Sequence, residues 1–172
     1  MSSENRTSVP NSLNEHWMPF TSNKDFKANT RLITEAKGVY LKTHHGKTQI
    51  DASSGLFCNP LGHGRREITE AVTKHLDTLD YAQHFQQGFG GSCEVATRIS
   101  KHTPADLNKM FYTICGSTAV ETAIKIAVAY HRAKGHAHRF RFVGRERGYH
   151  GMNIGCVSVG GMINNVKTFA SI

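Results

Sequence analysis

Residues 110–127 are the part of the chain whose residue types are best suited to chemistry. They read Met-Phe-Tyr-Thr-Ile-Cys-Gly-Ser-Thr-Ala-Val-Glu-Thr-Ala-Ile-Lys-Ile-Ala, with Gly116, Ser117 and Thr118 between an apolar run and a helical pattern. A glycine, two hydroxyl groups and the free N–H groups of a helix start are the parts of a small anion site, most often a phosphate site. A capped helix after a strand needs no ligand, so this turn by itself leaves both interpretations open.

Two patterns of secondary structure meet at this junction. Aromatic and β-branched residues before it favour a short strand: Phe111, Tyr112 and Ile114. Small and apolar residues after it recur on one helical face: Ala119, Val120, Ala123, Ile124 and Ala127. The sequence therefore predicts a strand that turns into an amphipathic helix, which ends near Gly135.

The first turn of this helix is expected to be capped by its own side chains. Ser117 or Thr118 can serve as the N-cap, and Glu121 stands three residues after Thr118, as in a capping box. Gly116 permits a positive φ and a close approach of the backbone. The motif is not a P-loop, because no Gly-Lys-Ser/Thr follows, and it is not a dinucleotide-binding fingerprint.

The remaining sequence predicts a small meander followed by alternating helices and strands. Strands are expected at residues 32–33, 39–41 and 49–51, turned at residues 45–47, and again at 139–143 and 157–159, with helices over residues 66–79 and 93–102. Strand–helix–strand order with a site at the carboxyl end of a strand indicates an α/β fold. Two or three parallel strands do not make a stable sheet. We therefore expect this sequence to form the front part of a larger domain.

The composition excludes several classes of protein. The chain has 172 residues, of which 38% are hydrophobic and 20% charged, as in a globular domain with its own core. It contains no apolar run of about eighteen residues that could cross a membrane, and its N-terminus lacks the apolar core of a signal peptide. The four cysteines are widely spaced, which favours a reduced, cytoplasmic protein.

The net charge of +8 and the eleven histidines raise two further possibilities. A basic nucleic-acid-binding module would fit the charge, but no RNP-like or helix-turn-helix pattern accompanies it. A metal site would need histidines at a recognisable spacing from cysteines or carboxylates, and the sequence contains no such spacing. We therefore expect neither nucleic acid nor metal as a ligand.

Two loops are expected to converge on a ligand. In a parallel sheet, residues 116–118 would lie beside the next strand end, the Gly-Tyr-His-Gly motif of residues 148–151. The first loop could hold a phosphate, and Tyr149 offers an aromatic ring to a flat ligand. A phosphate attached to a planar heterocycle describes pyridoxal 5′-phosphate (PLP).

With these motifs the sequence resembles the class III aminotransferases of PLP-dependent fold type I, and it is similar to their omega-amino acid–pyruvate (β-alanine–pyruvate) branch. The resemblance is carried by residues 17–21 (Trp-Met-Pro-Phe-Thr), 54–58 (Ser-Gly-Leu-Phe-Cys), 62–65 (Gly-His-Gly-Arg), 116–121, 144–151 (Gly-Arg-Glu-Arg-Gly-Tyr-His-Gly) and 157–161. It implies a partial α/β fold with three regions. These are a flexible arm over residues 1–14, a small-domain segment with the meander and a linking helix over 15–75, and the first part of the PLP-binding domain over 76–172.

The resemblance also implies roles for individual residues. Gly116, Ser117 and Thr118 would bind the cofactor phosphate, Tyr149 would stack on the pyridine ring, and His150 would help to hold that loop.

Two aromatic residues, Phe20 and Phe57, would face the substrate pocket. This branch typically has tryptophan at the position of Phe57, so the smaller ring bears on the substrate preference.

The catalytic groups of the family are expected beyond this chain. The Schiff-base lysine and the aspartate that keeps the pyridine nitrogen protonated belong to the half of the domain after residue 172, so no catalytic residue is assigned. Lys125 lies two turns into the helix, where a salt bridge or a solvated face is expected, and Lys167 lies in a predicted loop. The isolated chain is accordingly expected not to transaminate.

The function that the resemblance implies is transfer of an amino group from an ω-amino acid such as β-alanine to pyruvate. Its small-molecule partners would be the amino donor and pyruvate, and the intact protein would be a homodimer. An alternative of a different class is a non-catalytic chain that pairs with a full-length aminotransferase and changes its activity. Co-purification with such an enzyme distinguishes this alternative.

Overall fold

The computed structural model describes residues 13–169, which belong to two compact units, one ending at Gly88 and the other beginning at Phe89. Apart from residues 13 and 14, the predicted arm over residues 1–14 lies outside the described residues. The predicted boundary between residues 75 and 76 stays a prediction.

The first unit contains a helix, a three-stranded meander and a second helix: α1 (Asn23–Ala28), β1 (Ile33–Lys37), β2 (Tyr40–Thr43), β3 (Thr48–Ile50) and α2 (Arg66–Leu76). The strands lie in the order β1-β2-β3, and both pairs are antiparallel. The turn between β2 and β3 contains Gly46 at a φ of +77°, a conformation that glycine adopts without steric cost. The predicted meander and its turn are therefore confirmed.

The second unit is helical over its described residues: α3 (Gly90–Ile99), α4 (Gly116–Ala133), α5 (Ile154–Ser158) and α6 (Ile163–Phe169). Helix α5 packs against both α4 and α6. Among the described residues of this unit, the buried side chains are those of Cys156 and Val157 in α5, which are 0% and 3% exposed. The core of the unit therefore lies at α5, where it meets α4 and α6.

The strands predicted before Gly116, at residues 110–114, and at residues 139–143 are wrong, because neither segment pairs with another strand. A strand exists only where a neighbour accepts and donates its backbone hydrogen bonds. No other segment among residues 13–169 supplies such a partner. The apolar side chains are left unpacked as well, with Ile114 94% and Val143 99% exposed.

The strand predicted at residues 157–159 is also wrong, since residues 154–158 form α5. The carboxylate of Glu121 accepts hydrogen bonds from the N–H groups of Gly155 and Cys156, at 2.7 and 3.3 Å. These N–H groups have no partner within a helix that starts here, so a carboxylate at this end favours the helix. Glu121, from a distant part of the sequence, overrides the β-branched pattern.

Within residues 13–169, no helix is both long and apolar enough to cross a membrane.

Candidate functional site

Helix α4 begins at Gly116 with its N–H end open to solvent. Cys115 is the N-cap residue, in an extended conformation with φ −163° and ψ 169°. The expectation that Ser117 or Thr118 caps the helix is wrong, because the chain turns before Gly116 and both residues already lie inside the helix. Gly116 does not adopt a positive φ either. A Cβ atom at Gly116 would meet nothing within 4 Å, so a ligand can approach the backbone here.

The start of α4 places hydrogen-bond donors around the thiol of Cys115. The hydroxyl of Thr118 lies 3.3 Å from the Cys115 sulfur. This hydroxyl, together with the nearby backbone N–H groups of Thr118 and Ser117, lowers the pKa of the Cys115 thiol below its ordinary value. Donors at a helix start stabilise an anion in this way.

The predicted capping box between Thr118 and Glu121 is absent. The Glu121 carboxylate is directed at the N–H groups of Gly155 and Cys156 instead of the start of its own helix. The distance in sequence explains the error, since a pattern of neighbouring residues does not show that α5 presents competing donors.

The two loops that the sequence predicted to converge are bonded to each other. The hydroxyl of Ser117 accepts a hydrogen bond from the N–H of Met152 at 3.1 Å, and the thiol of Cys156 donates to the Ser117 carbonyl at 3.1 Å. Gly151 is buried beside Ser117 and has a φ of +116°. A Cβ atom at this position would lie 2.6 Å from the Ser117 hydroxyl. Only glycine allows this approach.

Tyr149 and His150 lie directly before this contact. The ring of Tyr149 belongs to a residue that is 62% exposed, so it is available to a ligand. His150 is half-buried and folds back over the backbone, and its Nε2 would lie 3.1 Å from a Cβ at Gly148. The carbonyl of Gly148 in turn accepts a hydrogen bond from Gly161 at 2.8 Å. The segment therefore holds its shape and leaves the tyrosine ring uncovered.

The two aromatic residues predicted for the substrate pocket belong to the first unit. Phe20 and Phe57 are 83% and 84% exposed. Both have a positive φ, at 50° and 68°. Phe57 ends a left-handed turn formed by four consecutive residues, 54–57. Left-handed backbone costs roughly 1–2 kcal/mol per non-glycine residue, so surrounding contacts must hold this turn.

Asp51 supplies those contacts. Its carboxylate accepts hydrogen bonds from the hydroxyl of Ser53 at 3.0 Å and from the N–H of Gly55 at 2.8 Å. It also lies 2.9 Å from Nε2 of His63. The hydrogen bond with His63 is the main reason why the pKa of Asp51 falls below its ordinary value, and the bonds from Ser53 and Gly55 add to it. The turn that presents Phe57 thus depends on an ionised carboxylate.

Sequence reasoning missed Asp51, His63 and Met152. The Asp-x-Ser spacing of residues 51–53 is a signal for the turn, because an aspartate often accepts from the backbone two residues on. The partners His63 and Met152 left no such local signal.

The match to known proteins spans almost all of this site. The chain matches the aminotransferase class-III family over residues 21–171, and it belongs to that family. It is 45% identical over 157 residues to an omega-amino acid–pyruvate aminotransferase of Pseudomonas putida, covering 91% of this chain and 35% of that protein. A beta-alanine–pyruvate aminotransferase of Pseudomonas aeruginosa is 42% identical over 93% of this chain and 36% of its own length. The chain thus spans about a third of the length of these relatives.

A second group of relatives is named for a different substrate. An adenosylmethionine-8-amino-7-oxononanoate aminotransferase of Methanocaldococcus jannaschii is 37% identical over 84% of this chain and 32% of that protein. The match with the crystal structure of this aminotransferase covers 91% of our chain and 36% of the crystallised chain, with a TM-score of 0.87 and 34% identity. The family match therefore leaves the substrate open.

Structural neighbours establish the fold. An omega transaminase of Pseudomonas jessenii in complex with PMP matches 90% of this chain and 35% of its own, with a TM-score of 0.86 and 26% identity. The chain is thus part of the fold-type I α/β architecture of the PLP-dependent transaminases. The predicted family and fold class are confirmed, and the family implies dependence on PLP.

We predict that the Asp51 carboxylate titrates below the ordinary aspartate pKa of 3.8 and that the turn loosens as it does so. Because the pKa is lowered in the folded state, the stabilisation is present above pH 3.8 and is lost as the pH falls through the lower folded value. A pH titration of the Gly55 amide signal by NMR should therefore have its midpoint below 3.8.

Variants separate this effect from general acid unfolding. His63→Ala should move the midpoint upward, because it removes the main cause of the lowered pKa, and Asp51→Asn should abolish the transition. Asp77→Asn is the control, because it alters an exposed aspartate of the same unit, and it should leave the midpoint of the Gly55 titration unchanged. A midpoint at or above 3.8 in the unaltered chain would contradict this account.

Proposed function

We propose that the start of α4 holds the phosphate of PLP and that Tyr149 stacks on the pyridine ring of this cofactor. One observation carries the proposal: the open helix start at Gly116 and the exposed ring of Tyr149 belong to segments that are bonded together at Ser117. Such a pairing offers both an anion site and a flat apolar surface to a single ligand.

The donor groups at the start of α4 suit a phosphate. The N–H groups of the first turn and the helix dipole attract an anion, and the lowered pKa of Cys115 supports the same preference. The Ser117 hydroxyl accepts its hydrogen bond from Met152, which leaves its own proton for a phosphate oxygen. Gly116 adds no side chain that would block the approach.

The segment at residues 148–151 suits the ring of the cofactor. Tyr149 presents an uncovered aromatic face, and offset stacking of two rings contributes about 1 kcal/mol beyond the area that it buries. His150 holds the segment by packing back on Gly148. The cofactor, when bound, supplies an electron sink for bonds at the amino-bearing carbon of a substrate. The residues of this chain bind and orient it.

We further propose that the whole protein transfers an amino group from an ω-amino acid such as β-alanine to pyruvate. The names and identities of the Pseudomonas relatives support this substrate class. Phe20 and Phe57 would then line the pocket for the amino donor. A homodimer in the cytoplasm is proposed as the working form.

Protection of Cys115 tests the cofactor site without an activity assay. In the chain alone, Cys115 should react with iodoacetamide faster than the exposed Cys93, because its pKa is lowered. Pyridoxamine 5′-phosphate cannot form a Schiff base with lysines. It should slow the alkylation of Cys115 in a saturable manner, since its phosphate competes with the thiolate for the hydrogen-bond donors at the start of α4. Peptide mapping by mass spectrometry follows each cysteine separately.

The controls assign the protection to the two halves of the ligand. Pyridoxamine, which lacks the phosphate, should protect far less. Tyr149→Leu should weaken protection by pyridoxamine 5′-phosphate about fivefold, the equivalent of roughly 1 kcal/mol of stacking, whereas Tyr149→Phe should retain it. Equal protection by both ligands, or equal protection of Cys93, would contradict the proposed site.

The substrate class is tested by comparing two amino-transfer reactions in the protein to which this segment belongs. We expect turnover of β-alanine with pyruvate to exceed turnover of S-adenosylmethionine with 8-amino-7-oxononanoate, following the higher identity to the first group of relatives. Quantification of both amino products by liquid chromatography decides the matter. Faster turnover of the second pair would reassign the substrate and leave the cofactor site intact.

A further inference from the structure

The segment that carries Tyr149 is fixed to α4 by few contacts. Tyr149 and His150 precede three anchoring residues, namely Gly151, Met152 and Cys156, which touch Ser117. Beyond them, the N–H groups of Gly155 and Cys156 meet the carboxylate of Glu121, one helical turn after Ser117. The position of the tyrosine therefore depends on two adjacent turns of one face of α4.

Glu121 makes the charged contact in this set. The Gly155 N–H lies 2.7 Å from its Oε1, and hydrogen bonds to an ionised group are roughly twice as strong as neutral ones. The approach is also tight, since a Cβ at Gly155 would lie 2.8 Å from Oε2 of the same carboxylate. The Asn153 side chain, at the N-cap position of α5, makes no capping hydrogen bond. The carboxylate from α4 takes the place of that cap.

We propose that Glu121 is a positioning residue for the cofactor, in that its carboxylate docks residues 151–156 onto α4 and so sets the ring of Tyr149 against the phosphate site. This inference rests on the proposed PLP site. The Glu121 carboxylate contacts the backbone of α5, so it would act on the cofactor through that backbone. The N–H groups of Gly116 and Ser117 belong to α4 itself and do not depend on this contact.

Cys156 reports whether the segment is docked. Its side chain is fully buried, and its thiol donates to the Ser117 carbonyl. Burial, with the adjacent Glu121 carboxylate, raises the pKa of this thiol, so it should react with iodoacetamide only when the segment leaves α4. The exposed Cys93 in the same unit is an internal reference for the reagent.

Glu121→Ala is the first test, with two measurements. Alkylation of Cys156 should accelerate at least about tenfold relative to Cys93, since a charge-assisted hydrogen bond is lost. The acceleration should exceed that of Glu121→Gln, because both variants remove the charge that raises the pKa of Cys156 and only the alanine variant also removes the acceptor. The affinity for pyridoxamine 5′-phosphate, measured by protection of Cys115, should fall about fivefold to tenfold, the loss expected when the tyrosine ring is misplaced. The affinity for inorganic phosphate should change less than about twofold, because the first turn of α4 is retained.

The second variant and the control keep the test decisive if the alanine variant does not fold. Glu121→Gln retains an acceptor oxygen without the charge, so both effects should be present and smaller than in the alanine variant. Glu94→Ala, which removes an exposed carboxylate of α3 that pairs with Arg98, should match the unaltered chain in both measurements.

The outcomes separate this inference from the cofactor site on which it rests. If pyridoxamine 5′-phosphate fails to protect Cys115 in the unaltered chain, the PLP site is wrong, and the Cys156 measurement still tests the docking. Cys156 could become reactive in the Glu121 variants while the ratio of the affinities for pyridoxamine 5′-phosphate and inorganic phosphate is unchanged. In that case Glu121 is only structural and the inference fails. Unaltered Cys156 reactivity in both variants overturns the docking itself.

Discussion

The described structure of the second unit depends on one constraint: the first turn of α4 must be fixed to a neighbouring segment while its N–H end stays open. The hydrogen bonds that fix it use the hydroxyl and carbonyl of Ser117 and the carboxylate of Glu121. The side of the turn at Gly116 remains free of side chains. Because the anchoring groups and the open donors lie on the same turns, the site for an anion and the position of Tyr149 are set together.

The sequence was sufficient wherever a local pattern decides the structure. The helical pattern of α4 and the glycine turn between β2 and β3 are properties of a few neighbouring residues, and both elements are found where they were predicted. The loops meet at Ser117 and Gly151 as predicted, although not at adjacent strand ends, since neither of the strands predicted before them forms among residues 13–169. The family resemblance, carried by several short motifs, is confirmed over residues 21–171.

Sequence reasoning failed where a distant partner decides. Residues 110–114 and 139–143 have the composition of strands, but among residues 13–169 no segment pairs with them. Glu121 has the spacing of a capping residue, yet α5 offers its carboxylate better donors. Asp51 looked like one polar residue in a loop, whereas its contacts with His63 and Gly55 hold the left-handed turn before Phe57. None of these partners is visible from local pattern alone.

The central claim is that the first turn of α4 binds a phosphate whose attached ring lies against Tyr149. The most direct measurement is an NMR titration of the isotopically labelled chain with pyridoxamine 5′-phosphate. We expect the amide signals of Gly116, Ser117 and Thr118 and the ring signals of Tyr149 to shift together along one saturation curve. Saturable shifts that leave these four residues unmoved and map to another part of the chain would contradict it.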